Sequence, residues 1–168
     1  MYKLVEQCVG TLARILAGLG GLVLVAVVLM TCISILGRNL IWAGLGPIQG
    51  DFELVEIGVA TAVFAFLPWC QFSRGHARVD LFANRFGPRL NRVIDLVADI
   101  AMAAAALLIA QRLWVGLGEK ISYSETTFIL EAPVWWGYAT GFTGALAFAI
   151  VAVFCIWRSA RTLGGWDV

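Results

Sequence analysis

The sequence predicts an all-α integral membrane protein with four transmembrane helices, and three observations predict it. Hydrophobic residues make up 61% of the 168 residues, against roughly 45–50% in a water-soluble domain. The mean hydropathy is +0.87, too high for one aqueous core. Charged residues are only 14% of the chain, and they gather at the ends of four apolar stretches, each near the about 20 residues that cross a bilayer core. The whole chain, 1–168, reads as one membrane domain.

The first span covers about 15–37, with no charge between Arg14 and Arg38. It is too long for a signal-peptide core, and no small-residue cleavage site follows it, so it reads as a retained helix. The second covers about 54–72, with Glu56 near its start and Arg74 just after it. Pro68 in its last turns is expected to kink it, because proline lacks the backbone donor and crowds the preceding turn. The third covers about 93–113, with Asp95 and Asp99 in its first turns. The fourth covers about 133–157. Pro133 suits a first helical turn. Trp135, Trp136 and Tyr138 at one end and Trp157 at the other form an aromatic belt at both interfaces.

Gly44, Gly46, Pro47 and Gly50 supply turn material between the first pair of spans. The outer loop 116–132 joins the third and fourth. Four spans put both termini on one side, together with the 73–92 connector. That side holds Lys3, Arg14, Arg74, Arg78, Arg85, Arg89, Arg92, Arg158 and Arg161; the other holds Arg38, Arg112 and Lys120. Short basic loops stay in the cytoplasm, so both termini and the connector are expected there. Within the connector, Val79, Phe82, Phe86 and Leu90 recur at three- or four-residue steps while arginines take other positions. An amphipathic segment lying on membrane lipid shows this pattern; an ordinary basic loop is the plainer reading.

Several function classes drop out. The net charge of +1 and the lack of a basic run interleaved with aromatics give no nucleic-acid surface. Cys8, Cys32, Cys70 and Cys155 are far apart in sequence, so no zinc spacing or disulfide framework is expected; they read as small hydrophobes in packed helices. His76 is the single histidine, which excludes two-histidine haem ligation and a histidine-rich metal site. No cofactor or catalytic site is expected, and no enzyme.

Asp95 and Asp99 lie one turn apart on a shared helix face. Carboxylates inside a bilayer are costly and often functional, so handling a transported cation or proton is one reading of the pair; an interfacial salt-bridge network, with Arg92 pairing Asp95, is the favoured one. Glu53 and Glu56 share a face near the outer start of span two. The helix dipole favours them there, with Asp51 as a plausible N-cap, and pairing with Arg38 is a second option. Small residues recur at every fourth position at Gly137, Gly141, Ala145 and Ala149, and span one has Ala13, Ala17 and Gly21. Such stripes let membrane helices approach closely.

Read together, these residues resemble the small membrane subunit of tripartite ATP-independent periplasmic (TRAP) transporters, the DctQ-like family. Arg38 follows span one, Glu53-Leu54 opens span two, and Arg74-Gly75-His76-Ala77-Arg78-Val79-Asp80 looks like the family's basic-Gly-His-x-x-Val-Asp junction. Phe86-Gly87-Pro88-Arg89-Leu90 follows, and then Thr126 or Thr127 with Pro133, Trp135 and Tyr138. The likeness runs from about 15 to 158. One departure is Phe52, where the family often has a second acid before Glu53. The resemblance implies an accessory scaffold subunit in the bacterial inner membrane. Its partners would be a large multi-span TRAP membrane subunit, which carries the substrate and sodium sites, and a periplasmic solute-binding protein that delivers an organic acid. It further implies an Arg38–Glu53 bridge between spans one and two, and His76 and Asp80 fixing the start of the interfacial segment, with Asp80 capping or pairing with Arg78 or Arg74.

Two other readings are weighed against it. A self-sufficient homo-oligomeric transporter needs a charge at the centre of a span; spans one and four have none, and Asp95 and Asp99 are off-centre. A membrane enzyme is the second: a thiol oxidoreductase needs paired outward cysteines, and neither outer loop contains a cysteine, while a lipid-modifying protein usually shows a cluster of acidic or histidine residues at one membrane face, for which the lone His76 is a poor candidate.

Overall fold

The computed structural model describes residues 2–76 and 87–164. The connector residues Arg78 and Asp80, and with them most of the expected interfacial segment, lie outside the described residues. Those described form four long helices: α1 Tyr2–Asn39, α2 Asp51–Phe72, α3 Pro88–Ser122 and α4 Trp135–Leu163, with a short 3-10 turn at Ile41–Ala43. All four are long and apolar enough to cross a membrane, and among the described residues there is no strand, only an isolated bridge between Thr126 and Pro133.

The helices outrun the apolar stretches. α1 has 38 residues, about 57 Å of helix at 1.5 Å per residue, against a hydrocarbon core of about 30 Å. Its polar flank Lys3–Arg14 contains no proline, so nothing stops the helix before the apolar run begins. α3 starts with Pro88 in its first turn, where the missing donor costs nothing. α4 starts at Trp135, not Pro133. Pro133 is held in the bridge to Thr126, and its carbonyl accepts from Trp136 N–H at 3.2 Å, so the chain is still turning there.

The four helices do not close into a ring. α1 packs on α2, α2 on α4 and α4 on α3; α1 brushes α4, and α1 and α3 do not meet. The result is an open row, α1–α2–α4–α3. In the most apolar stretch of α4, 56% of residues are buried, against 11% in α1, so α4 carries the core and α1 is an edge. Ala103 and Ala106 of α3 meet Phe148, Ala149 and Ala152 of α4. Ala13 of α1 meets Val151 and Cys155 of α4.

Small residues set the spacing, as expected, though not always the expected ones. On α4, Gly141, Ala145 and Ala149 are buried, but the tightest approach is at Gly144, where a Cβ would stand 2.7 Å from the Phe64 carbonyl oxygen. On α1 the buried face is Gly10, Ala13, Gly20 and Ser34. Ala13 keeps its expected place, but the stripe continues to Gly20, and Gly21 faces open space. α2 continues as helix through the fully buried Pro68. Thr61 and Thr140 share a hydroxyl hydrogen bond of 2.8 Å between α2 and α4.

Candidate functional site

Polar side chains collect at the two ends of the row. At the end that carries the termini, α2 finishes at Phe72 and Arg74 takes a left-handed φ of 52°. Its guanidinium donates to Asp95 at 3.0 Å, to Asp99 at 3.4 Å and to the Ser159 hydroxyl at 2.6 Å. Ser159 Oγ in turn donates to Asp99, and Gln71 Nε2 donates to the other oxygen of Asp99 at 3.3 Å. Asp99 is 7% exposed, a burial that a carboxylate tolerates only when charge-paired and hydrogen-bonded. One arginine therefore fastens the end of α2 to α3 and α4.

Asp95 and Asp99 do share a face, but the structure pairs Asp95 with Arg74 instead of Arg92. A cavity of about 220 Å³ opens beside this cluster, lined by Gln71, Arg74, His76, Asp95, Asp99 and Met102. His76 Nδ1 lies 3.6 Å from Cys70 Sγ, so the histidine that follows the turn folds back on the last turn of α2. Among the described residues no group of three or more His, Cys, Asp or Glu side chains is placed to hold a metal ion. The cysteines are all free, Cys155 buried but Cys8 and Cys32 exposed, so only Cys155 is a fully packed core residue.

At the opposite end Asp51 is the hub. Ser34 Oγ donates to it at 2.6 Å, and Ile48 N–H donates to Ser34 Oγ at 3.3 Å. Arg38 stands 3.8 Å from the same Asp51 oxygen. Arg38 thus pairs with Asp51 and not with Glu53 or Glu56, which corrects the expected Arg38–Glu53 bridge. The reason is reach: Ser34 and Arg38 lie one turn apart on α1, and both face the first residue of α2. Asp51 is the first helical residue and not the N-cap; that place is taken by Gly50, whose φ of 72° suits glycine. Leu130 packs over Gly50 where a side chain would stand.

Glu53 has a different task. Its carboxylate accepts the backbone N–H groups of Ile129 at 2.6 Å and Leu130 at 3.0 Å, which ties the 123–134 loop down on α2. Within that loop Thr127 N–H donates to the Ala132 carbonyl at 2.8 Å and Val134 N–H to that of Glu125 at 3.0 Å. Lys120 pairs with Glu125 at 2.5 Å. Phe128 at the tip is 97% exposed. Glu56 is exposed one turn along α2. Trp135 and Trp136 lie edge to face with centroids 6.3 Å apart, and both are exposed at the head of α4. Tyr138 instead packs against Gly116 of α3.

Sequence reading missed Ser34, Gln71 and Ser159. Ser34 is an isolated hydroxyl in an uncharged run, and that was an available signal; Gln71 and Ser159 stand beside Arg74 and Arg158 in sequence, where a polar residue draws no notice. Both polar clusters fasten helices to one another: the first joins α2 to α3 and α4, the second α1 to α2.

The fold and these clusters define a multi-pass α-helical membrane protein stitched at its two ends. The family model for tripartite ATP-independent periplasmic transporters, DctQ component, matches residues 27–162, and the chain belongs to that family. It is therefore a small subunit of a TRAP transporter. No curated protein and no solved structure matches the chain.

Proposed function

We propose that this chain is the small permease subunit of an ion-gradient-driven uptake system, with sodium as the coupling ion and an organic acid as the solute. It acts in the bacterial inner membrane with both termini in the cytoplasm. It scaffolds a large multi-span membrane subunit that is fed by a periplasmic solute-binding protein. The family match carries this reading, and the chemistry of the chain agrees with it. The paired carboxylates of span three, Asp95 and Asp99, are held by Arg74 and so are committed to packing. A transport site instead needs groups that can exchange partners, commonly beside broken helices. The open row also leaves α1 and α3 with long apolar flanks, such as Leu19, Leu22 and Val25 on α1, which suit lipid or a partner helix.

Reconstitution tests this. Proteoliposomes holding this chain and its large subunit, with the binding protein outside, should accumulate an organic acid when a sodium gradient is applied. Liposomes holding this chain alone should not. Uptake by this chain alone would overturn the accessory role.

A further inference from the structure

The end that carries the termini has a second polar feature unrelated to the Arg74 cluster. A groove of about 370 Å³ lies between the first turns of α1 and the end of α2, lined on α1 by Lys3, Gln7, Thr11 and Arg14 and walled by Phe72. Gly10 forms its floor: a Cβ there would lie 2.8 Å from the Phe72 ring, so the missing side chain lets the ring close against α1. Arg14 and Lys3 are 11 positions apart, about 16 Å along a helix, on one face.

The charge around this groove is net positive. Arg14 rests over Trp69 at 5.3 Å, Arg158 over Phe72 at 5.6 Å and Arg161 over Tyr2 at 4.5 Å. With Lys3 they make four cations, and among the described residues none of the four is ion-paired. Glu6, at the rim of the groove, is the one acid among the lining residues. By contrast Arg38, Arg74 and Lys120 each face a carboxylate. Arg158 spends its N–H groups on the Phe72 carbonyl at 3.2 Å and on Cys155 Sγ at 3.7 Å, whereas Arg14, stacked on Trp69, donates to no acceptor among the described residues, which leaves its N–H edge open to a phosphate.

The position matters as much as the charge. Arg14 is the last charged residue before the uncharged run to Gly37, the level at which a phosphate headgroup sits. Below it on the same helical face are Gly18 and Gly21, four and seven positions on, each with open space where a side chain would be. They leave the helix surface directly beneath the guanidinium bare of side chains, open to an acyl chain.

The geometry points to a binding site for one anionic phospholipid, its phosphate on Arg14, its headgroup against Thr11 and Gln7 with Lys3 adding positive field beyond them, and an acyl chain along Gly18 and Gly21. Basic pockets between membrane helices bind such headgroups, each cation contributing about 1 kcal/mol, or about fivefold in affinity. The inference goes beyond the subunit role and does not depend on it.

The test is native mass spectrometry of the full chain, delipidated in mild detergent and titrated with phosphatidylglycerol, with phosphatidylcholine of the same acyl chains, and with inorganic phosphate as competitor. One phosphatidylglycerol should be retained in preference to phosphatidylcholine. Arg14→Gln should weaken retention about fivefold, and Arg38→Gln, at the opposite end, should leave it unchanged. Gly18→Leu/Gly21→Leu, which covers the bare helix surface without touching charge, should also weaken it. Equal retention of both lipids, undiminished retention in both the Arg14 and the glycine variants, or displacement of phosphatidylglycerol by millimolar phosphate (a free-anion site) would each overturn the proposal.

Discussion

Gly144 of α4 lies against the carbonyl of Phe64, the carbonyl that Pro68 deprives of its helical donor. Proline has no N–H, so the oxygen four residues earlier loses its partner, and in a membrane such a group must be satisfied from nearby. Here the neighbouring backbone approaches closely enough that a Cβ at Gly144 would stand 2.7 Å from that oxygen. A Cα–H contact to the carbonyl is the interaction that such an approach permits.

Gly144→Ala should therefore force α2 and α4 apart and destabilise the chain by about 1–3 kcal/mol, the usual cost of overpacking. Gly18→Ala, where space is open, should be near neutral. Thermal unfolding in detergent, followed by helical circular dichroism, distinguishes them.

The Arg74 cluster makes an asymmetric prediction. Arg74→Gln leaves Asp99 buried beside a neutral side chain, and removal of one partner from a buried pair costs about 3–5 kcal/mol. Asp99→Asn leaves Arg74 still facing Asp95 at 3.0 Å and should cost less. The double variant Arg74→Gln/Asp99→Asn should recover part of the loss. Folded yield and unfolding midpoint of the three variants check this, and equal loss in all three would contradict the clamp.

Glu53 predicts a local effect. Glu53→Gln replaces a charged acceptor of two backbone donors with a neutral one, so the Ile129 and Leu130 amides should exchange faster, by roughly tenfold or more, since hydrogen bonds to charged groups are the stronger kind. Hydrogen exchange by mass spectrometry resolves this, and α3 and α4 amides should be unaffected.

Orientation can be read directly. With the termini in the cytoplasm, a cysteine at Phe128→Cys in an otherwise cysteine-free chain should react with a membrane-impermeant maleimide added outside spheroplasts. A cysteine at Leu163→Cys should react only after lysis. The reverse pattern would invert the topology.

Much of the fold is legible because membrane helices announce themselves locally: the 23 uncharged residues between Arg14 and Arg38 need no knowledge of any neighbour. The order of the row is not legible, since the choice of α4 as the central helix depends on which small residues meet. Gly144 falls outside the four-residue repeat at Gly137, Gly141 and Ala145, and its importance comes from Pro68 on another helix. The ion pairs follow the same rule. Asp95 and Asp99 are visible as a pair from their spacing, but their partner Arg74 is about 20 residues away and arrives through the turn after α2. Likewise Asp51 outcompetes Glu53 for Arg38 because Ser34 is there to hold it, and Glu53 is then free for a loop that the sequence places 76 residues further on.

The most direct test of the scaffold account is purification of this chain from native membranes in mild detergent, with the co-purifying proteins quantified. The account predicts a large multi-span membrane protein present in comparable amount. A chain that purifies alone as a stable homo-oligomer would contradict it.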